Sequence, residues 1–344
     1  MNIRSILNLN YRLPSREAVT LNPSARIKAG KAAQFFIAVI RYFLLIGLSF
    51  VILYPLLYML SVSFRTPEDL YDPTVVWLPR HFTLDNFKFV FFESDIAFLP
   101  SFKEGFQTGS MLRSFLLSFS CTALQVFTCA LTGYGFARFK FKGRGILFAV
   151  AILTLIVPPQ SINMPLYVIY TGFTKFTAGV TQGEGFKIID TFIPMSVPAV
   201  LGMGLRSGLF VYLFRQFFKN MPKELEEAAY LDGCGPINAY FKIMLINAGP
   251  ILIVTFLFSF VWYWNDYMNV SLFFNSARPM SLEVANFRNY LNHQKLPDGS
   301  AFSYALMGVY VQVAALLFIT PALFIYIVMQ KYFMKSIISS GIVG

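Results

Sequence analysis

Six apolar runs, each long enough to cross a bilayer as a helix, dominate this sequence. Five of them contain no Asp, Glu, Lys or Arg: Tyr42–Phe64, Ser114–Ala137, Gly145–Thr174, Ile243–Asn265 and Gly299–Gln330. The sixth, Thr191–Phe214, is interrupted only by Arg206. About 20 helical residues span a bilayer core of ~30 Å. Because the runs are continuous and do not alternate with polar residues, they predict an all-α, polytopic membrane protein with six transmembrane helices and not a β-barrel.

The composition supports the same class. Hydrophobic residues make up 56% of the chain and charged residues 13%, whereas soluble domains carry about 25% charged residues. Only three cysteines occur, so no disulfide framework is implied. The first run follows a basic tail and lacks a small-residue cleavage site. We therefore expect it to be an uncleaved membrane helix and not a signal peptide.

The distribution of charge orients the predicted helices. If both termini are cytoplasmic, the inner segments are 1–41, 138–144, 215–242 and 331–344. They hold 17 of the 28 Lys and Arg residues but only five of the 17 acidic residues. Basic residues concentrate on the cytoplasmic side of membrane proteins, so this orientation is favoured. It explains the net charge of +11 through contact with anionic membrane lipid and without nucleic acid. We predict a basic cytoplasmic tail over 1–41 and a six-helix domain over 42–344.

The first outer connection, residues 65–113, is long and acidic. Its acidic residues are Glu68, Asp69, Asp72, Asp85, Glu93, Asp95 and Glu104. A loop of this length in a compact domain is more often functional than idle. Docking of an external partner and a simple lid over the helix ends are both open at this point.

Motifs for nucleotide and metal chemistry are missing from the sequence. No G-x-x-x-x-G-K-[ST] phosphate loop and no H-E-x-x-H pair occurs, and His81 and His293 both fall in predicted outer loops. Cys121 and Cys129 share a helix face, where we expect packing residues and not a metal site. The paired glycines near Gly133 and Gly202 are expected to permit close helix packing. We predict no catalytic residue, no metal site and no cofactor held by this chain.

Between the fourth and fifth runs lies a stretch that we call the acidic segment, residues 220–236. Pro222 suits the first turn of a helix. Three acids would follow where the helix dipole favours negative charge: Glu224, Glu226 and Glu227. Small and apolar residues share one face at helical spacing: Leu225, Ala228 and Ala229. Gly233 and Gly235-Pro236 predict a turn and a second helix. The result is either a helix–turn–helix that another protein approaches closely or a solvated loop between membrane helices.

The spacing from Glu227-Ala228-Ala229 through Gly233 to Ile243-Met244-Leu245 resembles the EAA loop of ABC-importer permeases. This chain departs from the family pattern after Leu245, where Ile246 stands in place of proline and the proline is delayed to Pro250. Other segments resemble the carbohydrate-importer branch, in particular the smaller permease of maltose-type systems: Tyr134–Arg144, Trp262–Asp266 and Gly341–Gly344. The resemblance covers residues 40–344, with the family core over 110–335.

The resemblance implies a type I ABC-importer permease bundle in the bacterial cell membrane that carries a carbohydrate, expected to be an oligosaccharide, by alternating access. The implied partners are a second permease, a dimer of cytosolic ATPase subunits that binds ATP and Mg, and an extracytoplasmic solute-binding protein. It also implies residues that couple to the ATPase: Glu226, Glu227, Ala228, Ala229, Asp232 and Gly233. Among these, Glu227 would be the polar contact, the two alanines the close-packing face and Gly233 the turn.

Polar groups within the apolar runs are candidates for a translocation pathway because they are costly in lipid. Among these groups, Arg206 has the highest free-energy cost in lipid. It lies nine residues before Arg215, or about 13 Å along a helix, which makes snorkelling to the inner interface difficult. Arg206 either faces a cavity and contacts polar or acidic groups of a substrate, or is buried between helices in an ion pair or carbonyl cap.

Further pathway candidates are polar or aromatic: Gln125, Asn163, Trp262, Asn265 and Gln312. The amides can equally bond across helices for structural reasons. The cluster Trp262–Tyr267 either stacks on sugar rings or belongs to an aromatic belt at the membrane interface. Pro55 and Pro158-Pro159 are expected to bend or end helices, since proline removes a backbone donor.

Other functional classes remain as alternatives. A secondary transporter would use carboxylates at mid-membrane, but none of the six runs has an interior Asp or Glu. A membrane scaffold or signalling component would bind partners without transport. An ABC importer of a non-sugar solute also fits the sequence.

Overall fold

The computed structural model of the protein describes residues 23–94, 109–181, 183, 185–296 and 299–341, with side chains from Gln34 to Lys331. Within these ranges the regular structure is helical, and strand pairing is limited to two isolated bridges, Arg65–Phe82 and Lys295–Ala301. The all-α prediction is confirmed for this part of the chain. Predictions made for residues 1–22, 95–108 and 342–344 lie outside the described residues.

The helices in chain order are α1 (Pro23–Ser63), α2 (Pro67–Tyr71), α3 (Asp85–Lys88), α4 (Ser110–Arg138), α5 (Arg144–Leu153), α6 (Pro159–Thr181), α7 (Ile193–Val200), α8 (Ser207–Asn220), α9 (Glu224–Leu231), α10 (Pro236–Ala239), α11 (Leu245–Asn247), α12 (Gly249–Trp264), α13 (Met268–Phe273), α14 (Met280–His293) and α15 (Tyr304–Gly341). Two π-helical stretches continue α3 and α10: Phe89–Glu93 and Tyr240–Met244. The chain divides after Leu57 into two compact units.

Three helices in the described residues are long and apolar enough to cross a membrane: Gln34–Ser63 of α1, Ser110–Arg138 and Tyr304–Lys331 of α15. A fourth span results if Pro236–Asn247 and Gly249–Trp264, which meet at a bend of 77°, are counted together. The first, second and sixth predicted runs are thus continuous helices. The last run also contains the expected approach loop, since α15 begins at Tyr304.

The third predicted run, Gly145–Thr174, is not one helix. It breaks after Leu153 and resumes at Pro159. Pro158 and Pro159 have no backbone N–H, and a residue before proline is disfavoured in the helical conformation. The expected effect of this proline pair is confirmed, whereas the prediction of a single span was wrong. Pro55 differs, because α1 continues past it to Ser63.

The fourth predicted run, Thr191–Phe214, is also broken. α7 ends at Val200, and α8 begins at Ser207. Between them the backbone takes positive φ angles at Gly202 (70°) and at Arg206 (58°). A non-glycine residue held in this region costs about 1–3 kcal/mol, so surrounding contacts must stabilise the turn. The prediction of a continuous helix with Arg206 in its interior was wrong.

The core of residues 58–344 is built around α4. This helix packs against α7, α8, α12 and α14. Gly133 is essential to the contact with α8, because a Cβ there would lie 2.5 Å from Cβ of Phe214 and 2.9 Å from the backbone nitrogen of Arg215. Cys121 and Cys129 on the same helix are fully buried, in keeping with packing roles. α4 is therefore the helix around which this part of the chain packs.

The loop after α1 closes over the end of that helix. Arg65 donates to Ser61 Oγ (2.9 Å) and to the carbonyl of Val76 (2.7 Å). Within the same loop, Asp69 is 2% exposed and accepts from the backbone N–H of His81 at 2.8 Å. This backbone hydrogen bond is the main reason that the pKa of Asp69 lies below its usual value. The Tyr71 hydroxyl in turn donates to Oγ of Ser303 at 2.7 Å. Residues 64–94 thus pack over the end of α1, and the lid and the docking interpretations of 65–113 both stay predictions.

Candidate functional site

The acidic segment folds as a helix–turn–helix, as predicted. α9 ends in a Schellman motif, in which Cys234 N–H donates to the Ala229 carbonyl (2.9 Å) and Gly233 N–H to that of Tyr230 (3.1 Å). Gly233 has φ of 80°, which explains the glycine. The second helix opens at Pro236. One detail differs from prediction: α9 begins at Glu224, so Pro222 lies outside its first turn.

Glu226 anchors α9 to the end of α4. Its Oε1 accepts hydrogen bonds from the hydroxyls of Tyr134 (2.5 Å) and Tyr230 (2.9 Å). Its Oε2 lies 3.4 Å from Nε of Arg138, and the two side chains are only 10% and 7% exposed. Arg138 also donates to the carbonyl of Met221 at 2.9 Å. Burial, followed by the hydrogen bond and the charge of Glu226, raises the pKa of Tyr230, so its hydroxyl remains a donor.

The remaining predicted residues of the segment divide into buried and exposed positions. Ala229 is buried, whereas Glu227, Ala228, Asp232 and Gly233 are exposed. The predicted face of Leu225, Ala228 and Ala229 is therefore wrong as a single surface: only Ala229 packs inward. The reason is rotation of α9, because the contact of Glu226 with α4 turns the other two outward.

The exposed surface of the acidic segment combines acids with large apolar side chains. Leu231 is 89% exposed and Ile237 73% exposed. Glu224, Glu227 and Asp232 are exposed beside them. An apolar patch of this kind, rimmed by polar residues, marks an interaction surface in many proteins. We call this surface, formed by Glu224, Leu225, Glu227, Ala228, Leu231, Asp232 and Ile237, the docking face.

After the acidic segment the chain bends sharply into α12. Ala248, which is buried, separates α11 from α12, and the two parts of this span meet at 77°. Pro250 lies in the first turn of α12. The helix break thus occurs near the delayed proline, although Ile246 itself lies within α11.

A cavity of about 250 Å³ lies where the broken third and fourth runs meet. It is lined by residues at both breaks and by residues of α6, α7, α12 and α13. Those at the breaks are Thr154, Leu155, Val157, Pro159, Leu201, Met203, Gly204, Leu205, Arg206 and Ser207. Non-helical backbone at membrane depth is tolerated where it lines such a cavity. Within the part of the chain that the structure describes, the residues that line it include no carboxylate side chain.

Arg206 lines this cavity and is exposed. Among the side chains from Gln34 to Lys331, its recorded partner is the ring of Trp262, whose centroid lies 5.8 Å from the guanidinium carbon. The ion pairs found in this part of the chain do not include Arg206. The alternative of an Arg206 buried between helices, in an ion pair or a carbonyl cap, is therefore wrong for the described residues, because the side chain is exposed.

Gln125 does not line the cavity but supports its wall from behind. It is fully buried, donates to the Leu205 carbonyl (2.6 Å) and accepts from the hydroxyl of Tyr263 (2.5 Å). Gly204 lies against this pair, since a Cβ there would be 2.5 Å from Oε1 of Gln125. Gln125 thus has the structural role that was one of the two alternatives from the sequence. Its hydrogen bonds fix the backbone at the helix break before Arg206.

The other predicted pathway residues are dispersed. Asn163 lines the cavity, whereas Trp262, Asn265 and Gln312 are absent from its wall. Asn265 is exposed and donates to the carbonyl of Val261 at 2.9 Å. In the aromatic cluster, Trp264 is 1% exposed and donates to the carbonyl of Phe318 at 2.9 Å, which fits neither an interfacial belt nor an open sugar platform.

Sequence reasoning missed several residues of these sites. Tyr134 and Arg138 hold Glu226, Tyr263 holds Gln125, and Ser207 lines the cavity. The spacing of Glu226 and Tyr230, four residues apart, is the one local signal that could have identified part of the cluster. The rest depends on contacts between helices distant in sequence.

Comparisons with known proteins agree with this architecture. The family model described as "Binding-protein-dependent transport system inner membrane component" matches residues 129–339, more than half of the chain. The arabinooligosaccharides transport system permease protein AraQ of Halalkalibacterium halodurans is 25% identical over 86% of this chain and 93% of its own length. The polygalacturonan/rhamnogalacturonan transport system permease protein YtcP of Bacillus subtilis is 24% identical over 88% and 96%.

A solved structure shares the fold. It is the crystal structure of a bacterial ABC transporter involved in the import of the acidic polysaccharide alginate, one chain of which aligns with a TM-score of 0.63 and 18% identity. The alignment covers 91% of this chain and 99% of that one. Together with the family match and the apolar helices, this identifies a multi-pass protein of the bacterial cell membrane. The chain belongs to the family of binding-protein-dependent transport system inner membrane components, the permease subunits of ABC transporters.

Proposed function

We propose that this chain is one transmembrane permease of an ATP-driven importer that carries a carbohydrate, in particular an oligosaccharide, into the bacterial cell by alternating access. The names of similar permeases, which transport arabinooligosaccharides or pectic polysaccharides, support the substrate class. The observation that carries the mechanism is the docking face, displayed on a helix that Glu226 anchors to α4.

The proposal includes six spans: α1, α4, the broken pairs α5–α6 and α7–α8, the bent span that ends in α12, and α15. Both termini would be cytoplasmic, with the tail over 1–41 and the permease domain over 42–344, its common core over 110–335. The excess of Lys and Arg in the inner segments supports this orientation. Anionic lipid would contact those basic residues.

The docking face would seat in a cleft of a cytosolic ATPase subunit. Its apolar side chains Leu231 and Ile237 suit an apolar cleft, and its exposed acids Glu227 and Asp232 suit a basic rim. ATP and Mg would be bound by the ATPase dimer and not by this chain. A second permease and an extracytoplasmic solute-binding protein, whose docking site we assign to the outer connection 65–113, would complete the importer.

Two rigid connections lead from the docking face to the cavity. α8 runs from the acidic segment to Arg206 over 14 residues, about 21 Å. α4 contacts Glu226 at one end through Tyr134 and, nine residues earlier, supports the cavity wall through Gln125. A displacement of α9 by the ATPase would therefore reach the cavity along both helices. A secondary transporter works without an ATPase and would not need a connection from the docking face to the cavity. An importer of a non-sugar solute is the remaining alternative.

The test is uptake by the intact complex in sealed vesicles. We expect Glu227→Lys to abolish uptake and to uncouple it from ATP hydrolysis, because a reversed charge opposes the basic rim while the exposed side chain plays no part in folding. Gly233→Ala should weaken coupling through strain at a positive φ. Lys175→Glu, which reverses an exposed charge on α6 outside both proposed docking surfaces, is the matched control. Uptake at the normal rate by Glu227→Lys would contradict the coupling role.

A further inference from the structure

The positive charge in the cavity has no counter-charge within the described part of the chain. Arg206 is exposed and is one of the residues that line the cavity, and the described lining residues include no Asp or Glu. An uncompensated cation at membrane depth is costly. The ring of Trp262, with its centroid 5.8 Å away, offsets a part of that cost. The site therefore has a strong electrostatic preference for an anion.

The start of α8 adds to this preference. Arg206 and Ser207 are the cap and first residue of a 14-residue helix, whose N-terminus carries partial positive charge. Ser207 lines the cavity and is 3% exposed, and its Oγ has no hydrogen-bond partner among the described residues. An unmade bond of a buried hydroxyl costs about 1–3 kcal/mol. The hydroxyl is enclosed in the structure, and rotation of the Ser207 side chain toward the cavity would bring it to a ligand oxygen that satisfies it.

The rest of the wall suits a sugar ring. Three aromatic residues, Tyr170, Tyr263 and Phe273, border the cavity with at most 8% of each exposed, and Asn163 supplies one amide. The volume, about 250 Å³, is close to the lower end of ligand pockets, roughly 300 Å³. That room is suited to one monosaccharide unit and not to a whole oligosaccharide.

We propose that this cavity binds a uronate unit of the transported saccharide, with its carboxylate between Arg206 and Ser207. The inference rests on the proposed importer function and deepens it by naming the substrate class. Arg206 would form a charge-assisted pair with the carboxylate, and the Ser207 hydroxyl, once its side chain rotates toward the cavity, would donate the second hydrogen bond. Neutral sugars would leave the guanidinium unpaired.

The experiment measures equilibrium binding to the purified transport complex without its solute-binding protein, so that the selectivity of that protein does not enter. The probes are trigalacturonate and its methyl ester, which have the same ring but differ in charge. We expect the wild-type complex to prefer the acid. Arg206→Gln should weaken binding of the acid about tenfold or more and leave that of the ester nearly unchanged. Arg206→Lys should retain part of the preference, because it keeps the charge but not the forked geometry.

Arg288→Gln is the matched control, since its guanidinium also lies over an aromatic ring, 5.9 Å from the centroid of Tyr304, but outside the cavity. Equal binding of acid and ester by the wild type, or equal losses for both in Arg206→Gln, would overturn the inference. ATP-driven uptake of the neutral maltotriose without binding of the acid would overturn it and leave the importer function intact. Absence of ATP-driven uptake for every sugar tested would instead contradict the importer function itself.

Discussion

Replacing Glu226 with alanine is expected to abolish ATP-driven uptake while leaving the chain inserted in the membrane. The substitution removes both hydroxyl contacts of the carboxylate and leaves Arg138, whose side chain is 7% exposed, without its counter-charge. Removing one member of a buried ion pair costs about 3–5 kcal/mol. We expect α9 to detach from the end of α4, so that motion of the docking face no longer reaches the membrane helices. Uptake in vesicles and limited proteolysis of the acidic segment measure the two effects.

The matched control is Glu224→Ala, which makes the same change in the same helix at an exposed position. It should leave proteolysis unchanged. Glu226→Gln keeps an acceptor for Tyr134 but loses the attraction to Arg138, so an intermediate loss is expected. If Glu226→Ala resists proteolysis as well as Glu224→Ala and transports normally, Glu226 does not anchor the helix.

The second large effect is expected at Gly208, in the first turn of α8. A Cβ there would lie 2.6 Å from Oγ1 of Thr154 and would overlap the backbone carbonyl of Ala151. Backbone cannot rotate away, so α8 must move from α5 and distort the cavity wall between them. Overpacking of this kind costs about 1–3 kcal/mol. Gly208→Ala should therefore lower the unfolding temperature of the complex in lipid nanodiscs and reduce uptake.

Gly172→Ala is expected to have the opposite effect on stability from Gly208→Ala. Gly172 lies inside α6, where a Cβ would meet no atom within 4 Å. Because alanine is favoured over glycine in a helix by up to about 1 kcal/mol, this variant should be as stable as the wild type or more so. Equal stability changes in the two variants would show that the contact between α5 and α8 is not tight.

Hydropathy predicted the continuous spans well because it depends on local sequence alone. The positions where charged and polar residues begin predict three helix boundaries. They are the ends of α4, the end of α1 before Arg65 and the start of α15 at Tyr304. The Pro158-Pro159 break was also signalled, although the run was counted as one helix. These features need no knowledge of distant residues.

The break before α8 could not be predicted in this way. It contains no proline between Leu201 and Arg206, and the positive φ of Arg206 is held by contacts from α4 and α12 through Gln125 and Tyr263. Such support exists only after the helices pack. The cavity arises from the meeting of two breaks and was therefore invisible in the sequence.

The roles of neighbouring glutamates show the same limit. Glu226 and Glu227 are equivalent in a pattern of acids near a helix start, yet one is buried against Tyr134 and the other is exposed. Their difference depends on the rotation of α9 about its axis, which the partner helix α4 decides. The role of Gly233 could be predicted from the sequence, because a left-handed turn at a helix end favours a residue without a Cβ.

The most direct test of the importer account is photo-cross-linking from position 231, where Leu231 is 89% exposed on the docking face. A photoreactive amino acid at this position in the full complex should form an adduct with the cytosolic ATPase subunit, and the yield should change when ATP is bound. A complex that contains the ATPase but gives no such adduct, or labelling of position 231 by a membrane-impermeant reagent from outside the cell, would contradict the account.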